Sequence, residues 1–284
     1  MNSLSVHASW DDASISKLKE KTLWIRQQVL RMACEANGGH IAPAFSCTEI
    51  LVALYYGGIL KIDPDNPKWP ERDRFILSKA QAALALYPIL GDLGFFPMEE
   101  VYTFTKTGSR LGGHADDAVP GVDTFSGSLG HGLPIGCGMA LALHLDGKVQ
   151  RVFVLLGDGE CHEGSVWEAA MFAGHNRLSN MVAIVDNNGL SASDHLDNYL
   201  SLEPFEQKWI SFGWDVVTVN GHSLPQLLKA LQRSPADGQR PLAVIAKTVK
   251  GKGVSFIEDQ ADWHYRIPVD DELTQARKEL GLTN

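Results

Sequence analysis

Cationic excess is the first thing this 284-residue chain lacks: 25 Lys and Arg stand against 34 Asp and Glu, a formal net charge of −9. That balance argues against a nucleic acid or a polybasic attachment to membranes. No apolar run approaches the ~20 residues that a membrane span requires. Met1 to Asp12 has polar and acidic residues where a secretory signal has a basic end and an apolar core. The four cysteines, Cys34, Cys47, Cys137 and Cys161, form no Cys-x-x-Cys pair and keep no regular spacing. Reduced, mostly buried thiols in a cytoplasmic protein are the reading that follows. Repeats, low-complexity tracts and Pro/Ser-rich linkers are also missing. The chain therefore divides into a short tail, residues 1–13, and one domain, residues 14–284. Two common phosphate motifs are absent as well. Gly147-Lys148 and Gly251-Lys252 are not followed by Ser or Thr, and no Gly-x-Gly-x-x-Gly joins a strand to a helix.

What is present has a clear rhythm. Ile15, Leu18, Ile25, Val29, Met32 and Ala36 recur at three- and four-residue steps, which predicts a helix from about Ser14 to Ala36. Asn37-Gly38-Gly39 ends it, with glycine taking the left-handed cap conformation. Ser46 and Glu49 make a capping-box pattern for a second helix that closes at Gly57-Gly58. Continuous apolar runs follow at Arg74 to Leu77, Arg151 to Leu156, Met181 to Val185, Trp214 to Val219 and Leu242 to Val249. Such runs, separated by helical stretches, predict an α/β fold: a parallel sheet with helices on both faces. Ligands bind such sheets at the carboxyl ends of the strands. The residues after Leu77, Leu156, Val185 and Val249 are thus the places to search. A Gly-rich, strand-poor stretch from about Thr105 to Gly132 interrupts the rhythm and reads as a functional loop.

Gly157-Asp158-Gly159 follows one apolar strand and Asp186-Asn187-Asn188-Gly189-Leu190 follows the next. Either segment alone is a tight turn. Together, at two adjacent strand ends, Asp158, Asn188 and a backbone carbonyl converge as hard oxygen ligands. Magnesium takes few protein oxygens and completes its octahedron with phosphate and water. The pair points to a metal–diphosphate site, with the glycines letting backbone amides approach the anion.

The segment Gly157-Asp158-Gly159-Glu160-Cys161-His162-Glu163-Gly164-Ser165-Val166-Trp167-Glu168-Ala169, running on to Asn188, resembles the thiamine diphosphate motif in its transketolase form. Asn37-Gly38-Gly39-His40, Asn66 to Ser78, Gly108 to His114 and Gly127-Ser128-Leu129-Gly130-His131-Gly132 resemble further family segments, in the same order. The likeness runs from about residue 15 to 267. It implies a thiamine diphosphate-binding fold and an enzyme that moves a two-carbon ketol unit from a ketose, expected to be phosphorylated, to an aldose. By similarity, Asp158, Asn188 and the Leu190 carbonyl hold magnesium, with calcium or manganese as substitutes. Gly127, Ser128, Leu129, Gly157, Gly159 and Glu160 contact the cofactor. His40, His114 and His264 handle protons and hydroxyls around the sugar, and His264 also lies near the diphosphate. Glu163 and Glu168 match acids at the family's dimer interface. His7, His144, His162, His175, His195 and His222 carry no such implication and read as surface or structural residues.

Two departures stand out. Ser78-Lys79-Ala80-Gln81-Ala82 places Gln81 where the family has a histidine, and glutamine cannot titrate near neutral pH. Trp263-His264-Tyr265 replaces the usual Trp-His-Gly. The family's later domains, which complete the catalytic site, lie beyond the pattern carried here. The resemblance therefore implies the first subunit of a split transketolase, paired with a second chain of roughly 300 residues as two copies of each. An acyloin-forming or decarboxylating relative, or a non-catalytic cofactor-binding protein, are the competing readings.

Overall fold

A computed structural model describes residues 10–198, 200–233 and 238–282. His7 lies outside the described residues. Five parallel strands, β1 (Arg74–Leu77), β2 (Val152–Gly157), β3 (Met181–Asn187), β4 (Asp215–Asn220) and β5 (Leu242–Lys247), form one sheet in the order β1-β2-β3-β5-β4. The apolar runs are continuous because alternate residues enter different cores. Phe153, Leu155, Val182, Ile184 and Val244 pack on one face. Val154, Leu156, Ala183, Val185 and Ile245 pack on the other.

The first core is covered by α1 (Asp12–Ala36), α2 (Ile41–Ser46), α3 (Thr48–Tyr56), α4 (Ala83–Asp92) and α8 (Leu224–Leu231). The second is covered by α5 (Gly132–Leu145), α6 (Gly164–His175) and α7 (Phe205–Ser211). A last helix, α9 (Asp270–Glu279), contributes Ala276 to the first core. No helix among the described residues is long and apolar enough to cross a membrane.

Three local expectations change. The packed body begins before residue 14: Trp10 Nε1 donates to the Gly57 carbonyl at 3.0 Å, and Asp11 caps α1 by accepting from the Ser14 amide at 2.8 Å. At the far end of α1 it is Asn37, not a glycine, that takes the left-handed cap conformation, with φ 48°. The Ser46–Glu49 capping box does not form. Cys47 occupies the cap position of α3, while Ser46 Oγ donates to Asp186 and Glu49 receives Arg26. A buried carboxylate and a buried guanidinium outcompete a local cap, since charge-assisted hydrogen bonds are the stronger ones.

Candidate active site

A cavity of about 670 Å³ opens at the carboxyl ends of four strands. Lys79 and Gln81 reach it from beyond β1, Gly157 to Glu160 from β2, Asn188 and Leu190 from β3, and Lys250 from β5. Register places Gly157 beside Asp186, so the two oxygen-bearing turns emerge side by side. Leu129, Ser191, Asp194 and His264 complete much of the wall.

Asp158 is 2% exposed. Its carboxylate accepts from the Gly159 amide at 2.8 Å, the Gly189 amide at 2.6 Å and Asn187 Nδ2 at 3.2 Å. Burial nevertheless pushes its pKa up to about 6, with nearby Asp186 adding to the shift. Asn188 is anchored by donation from Nδ2 to Ser46 Oγ at 3.0 Å, and its Oδ1 accepts from the Leu190 amide at 3.0 Å. Among the described residues, no group of three or more His, Cys, Asp or Glu side chains could hold a metal. A carboxylate, an amide and a carbonyl are instead the partial set that a magnesium ion completes with phosphate and water.

Glu160 is turned inward. Its carboxylate accepts from Ser78 Oγ, from the Gly130 amide at 2.9 Å and from the Gly157 amide at 3.1 Å. It thereby ties the β1 end, the Gly-rich loop and the β2 end together. Strand-end logic pointed to these places, yet motif reading missed both lysines on the wall. The Lys79 ammonium donates to Asp186 and to the Pro43 carbonyl. Burial pushes it down, but Asp186 holds it above its ordinary value. Lys250 donates to the Ser191 carbonyl, and burial together with the Lys79 charge lowers it to about 8. The signal was there: Lys250 directly follows Val249, and Lys79 stands two residues after Leu77.

His40, His114 and His264 come together. The His40 ring lies 5.9 Å from His114, 5.2 Å from His264 and 4.7 Å from Tyr265, centroid to centroid. Burial, then the neighbouring His114, Lys250 and Lys79 charges, lowers His40 to about 4. Burial, then Lys250, His40 and Lys79, lowers His264 to about 3. Both are neutral imidazoles near pH 7, able to accept as well as donate. His264 Nδ1 is buried without a partner among the described residues. An orphaned buried acceptor or donor facing a site is what a missing ligand leaves behind. His114 is carried by the long loop, whose Gly112 and His114 carbonyls lie 3.0 and 2.9 Å from the Tyr87 hydroxyl.

The remaining predicted residues lie off this cavity. Gly127, at φ 134°, runs beside the His114 ring. Ser128 lines a smaller cavity of about 180 Å³ with Ser78 and His131. Glu163, at the cap position before α6, is exposed and lies against Gly130, while Glu168 is exposed on α6 at helical spacing from the exposed Met171 and Phe172. Of the histidines read as structural, His162 Nε2 lies 2.8 Å from the Leu200 carbonyl, and His222 is held between Glu49 and the Val249 amide.

The residues present fit a divalent cation and a diphosphate. Oxygen donors stand on one wall, two ammoniums on others, and the volume suits a cofactor-sized molecule. Fold and site together define an α/β protein that binds an anionic cofactor at its strand ends. Residues 19–284 match the family described as transketolase, thiamine diphosphate binding domain. The chain belongs to the transketolase family and carries its thiamine diphosphate-binding domain. It is 39% identical to an apulose-4-phosphate transketolase subunit from Phocaeicola vulgatus, over 90% of this chain and 91% of that one. It is also 39% identical to a 6-deoxy-6-sulfo-D-fructose transketolase subunit from a Clostridium species, over 89% and 91%. The transketolase structure from Campylobacter jejuni superposes with a TM-score of 0.87 at 29% identity, over 94% of this chain but only 43% of that one.

Proposed function

We propose that this chain is the cofactor-binding subunit of a two-chain transketolase, moving a two-carbon ketol unit from a ketose or its phosphate to an aldose. The observation that carries the reading is the near end-to-end match to two proteins named as transketolase subunits, beside a match to less than half of the Campylobacter jejuni transketolase chain. A second chain of roughly 300 residues supplies the rest of the catalytic site, as two copies of each. The assembly works in the cytoplasm. Bound thiamine diphosphate supplies the nucleophilic carbon that accepts the ketol unit.

The residues of this chain do the holding. Asp158, Asn188 and the Leu190 carbonyl take magnesium, or calcium or manganese in its place. Lys250 and the Gly157 and Gly159 backbone surround the diphosphate, with Lys79 held behind them by Asp186 and Glu160 bracing the turn. Leu129, with Gly127 and Ser128 behind it, lies along the rings. His40, His114 and His264 hold and move protons at the sugar hydroxyls, and Gln81 orients one hydroxyl without titrating. Glu163 and Glu168 face the neighbouring subunit with Met171 and Phe172.

The test is to co-express the chain with a second chain bearing the remaining transketolase domains, and to assay ketol transfer over a panel of ketoses. Turnover that needs both chains, thiamine diphosphate and magnesium is expected, and Asp158→Ala abolishes magnesium-dependent cofactor binding. A complex that binds both and turns over no ketose refutes the reading.

A further inference from the structure

Away from the cavity, one buried chain of polar contacts leads back to it. Glu49 on α3 has a side chain 10% exposed, and its Oε2 receives Arg26 Nη2 at 2.8 Å. The same oxygen lies 3.0 Å from His222 Nδ1. Arg26 is fixed in turn by donation to the Phe45 carbonyl at 3.0 Å. Burial pushes the Glu49 carboxyl up, but His222 and Arg26 together hold it below its ordinary value. It is therefore an acceptor, and His222 Nδ1 carries the proton between them.

The other ring nitrogen has the opposite role. The Val249 amide donates to His222 Nε2 at 2.8 Å, so Nε2 accepts. Only the neutral ring protonated on Nδ1 satisfies both contacts. The position explains the need. The β4–β5 ladder ends at Asn220 and Lys247, and the Gly221 amide still donates to the Lys247 carbonyl at 2.8 Å. Beyond that point no strand among the described residues receives the Val249 amide. The His222 ring extends the ladder by one contact, and the next residue is Lys250, on the cavity wall.

We propose that His222 is a positioning residue for the cofactor site: Arg26, Glu49 and His222 fix the Val249 amide and so aim the Lys250 ammonium at the diphosphate. This rests on the reading of Lys250 as a diphosphate contact. Groups that orient a metal-ligating residue from behind are typically worth about 10–100-fold in affinity, and the lower end of that range sets the scale for an oriented lysine.

The two ring nitrogens can be tested separately. Asn places a polar atom near the Nδ1 position and none near Nε2, and Gln does the reverse. The probe is thiamine diphosphate with magnesium, titrated calorimetrically into the two-chain complex, with each variant's melting midpoint recorded. His222→Asn is expected to weaken binding about 10-fold, and His222→Gln to stay within about 2-fold of the parent. In a Lys250→Met background, His222→Asn should add almost nothing, because the two act through one contact. The reverse order of Asn and Gln assigns His222 to holding Glu49 alone and overturns the proposal. So does an unchanged affinity in both variants, or a full additive loss in the Lys250→Met background. If Lys250→Met itself leaves binding unchanged, the diphosphate role of Lys250 fails first and the proposal falls with it.

Discussion

Asp186 is the residue whose replacement should be felt most widely. It is the penultimate residue of β3, with 0% exposure. Its carboxylate receives Ser46 Oγ at 2.8 Å from each oxygen, Thr248 Oγ1, and the Lys79 ammonium. The Lys79 side chain is 8% exposed, and its other partner is the neutral Pro43 carbonyl at 3.1 Å. Asp186→Asn keeps the shape and removes the charge. It leaves an ammonium buried without a counter-ion and presents amide donors to other donors. Breaking a buried pair from one side typically costs about 3–5 kcal/mol. That is a large part of the ~5–15 kcal/mol that holds a native protein together. At about 2–4 °C per kcal/mol, the melting midpoint should fall by roughly 10 °C. Urea unfolding of the full chain at pH 7, followed by circular dichroism, reads the loss directly. Lys79→Met with Asp186→Leu removes both charges and should recover more than half of it, since the desolvation cost goes with them. A loss for Asp186→Asn below about 1 kcal/mol, the range of exposed pairs, would refute the argument.

Acid should loosen the fold through His40 and His264. Their folded pKa values, about 4 and about 3, lie below the ordinary 6.5, so the unfolded chain takes up protons that the folded chain refuses. Their contribution is complete above about pH 6.5 and declines as the pH falls toward 4; urea midpoints over that range should drop less steeply in His40→Asn than in the parent. Gly132→Ala sets a Cβ 2.3 Å from Ser78 Oγ and 2.4 Å from Ser78 Cβ, so α5 must move off the end of β1. A loss of about 1–3 kcal/mol is expected by thermal unfolding, and an unchanged midpoint would show that the contact relaxes freely. Gln81→Ala should lower kcat/KM for accepted ketoses about 3- to 10-fold, the worth of one hydrogen bond, and equal rates with every ketose would remove Gln81 from the substrate's contacts.

The sheet was legible because burial on both faces writes β2, β3 and β5 as unbroken apolar runs; the bounds of β1 coincide with the predicted Arg74 to Leu77. The oxygen turns at Asp158 and Asn188 were legible because each follows such a run. Helix α2 was not. Its six residues, Ile41–Ser46, are all buried and include Pro43, so no amphipathic period marks it. The capping-box pattern at Ser46 was present in the sequence but was overridden by partners 140 residues away at Asp186 and 23 residues away at Arg26. The same distance problem hid His222, whose contacts span 173 residues to Glu49. Local pattern reports which face a residue belongs to. It does not report which buried charge will claim it.

That distinction separates the two carboxylates at the centre of the sheet. Asp158 and Asp186 leave adjacent strands, at 2% and 0% exposure. Asp186 is matched internally by the Lys79 ammonium and two hydroxyls. Asp158 meets only neutral donors, the Gly159 and Gly189 amides and Asn187, with no ion-pair partner among the described residues. Lys250 is the mirror case: a 2% exposed ammonium whose hydrogen-bond partner is the Ser191 carbonyl. A fold optimised for stability alone would pair the two, because a buried charge without its counter-charge is costly. Here they line one cavity unpaired. A ligand carrying both signs, as in the proposed function, would satisfy the two at once. One buried pair holds the sheet's end together, while the charges beside it are left for what binds.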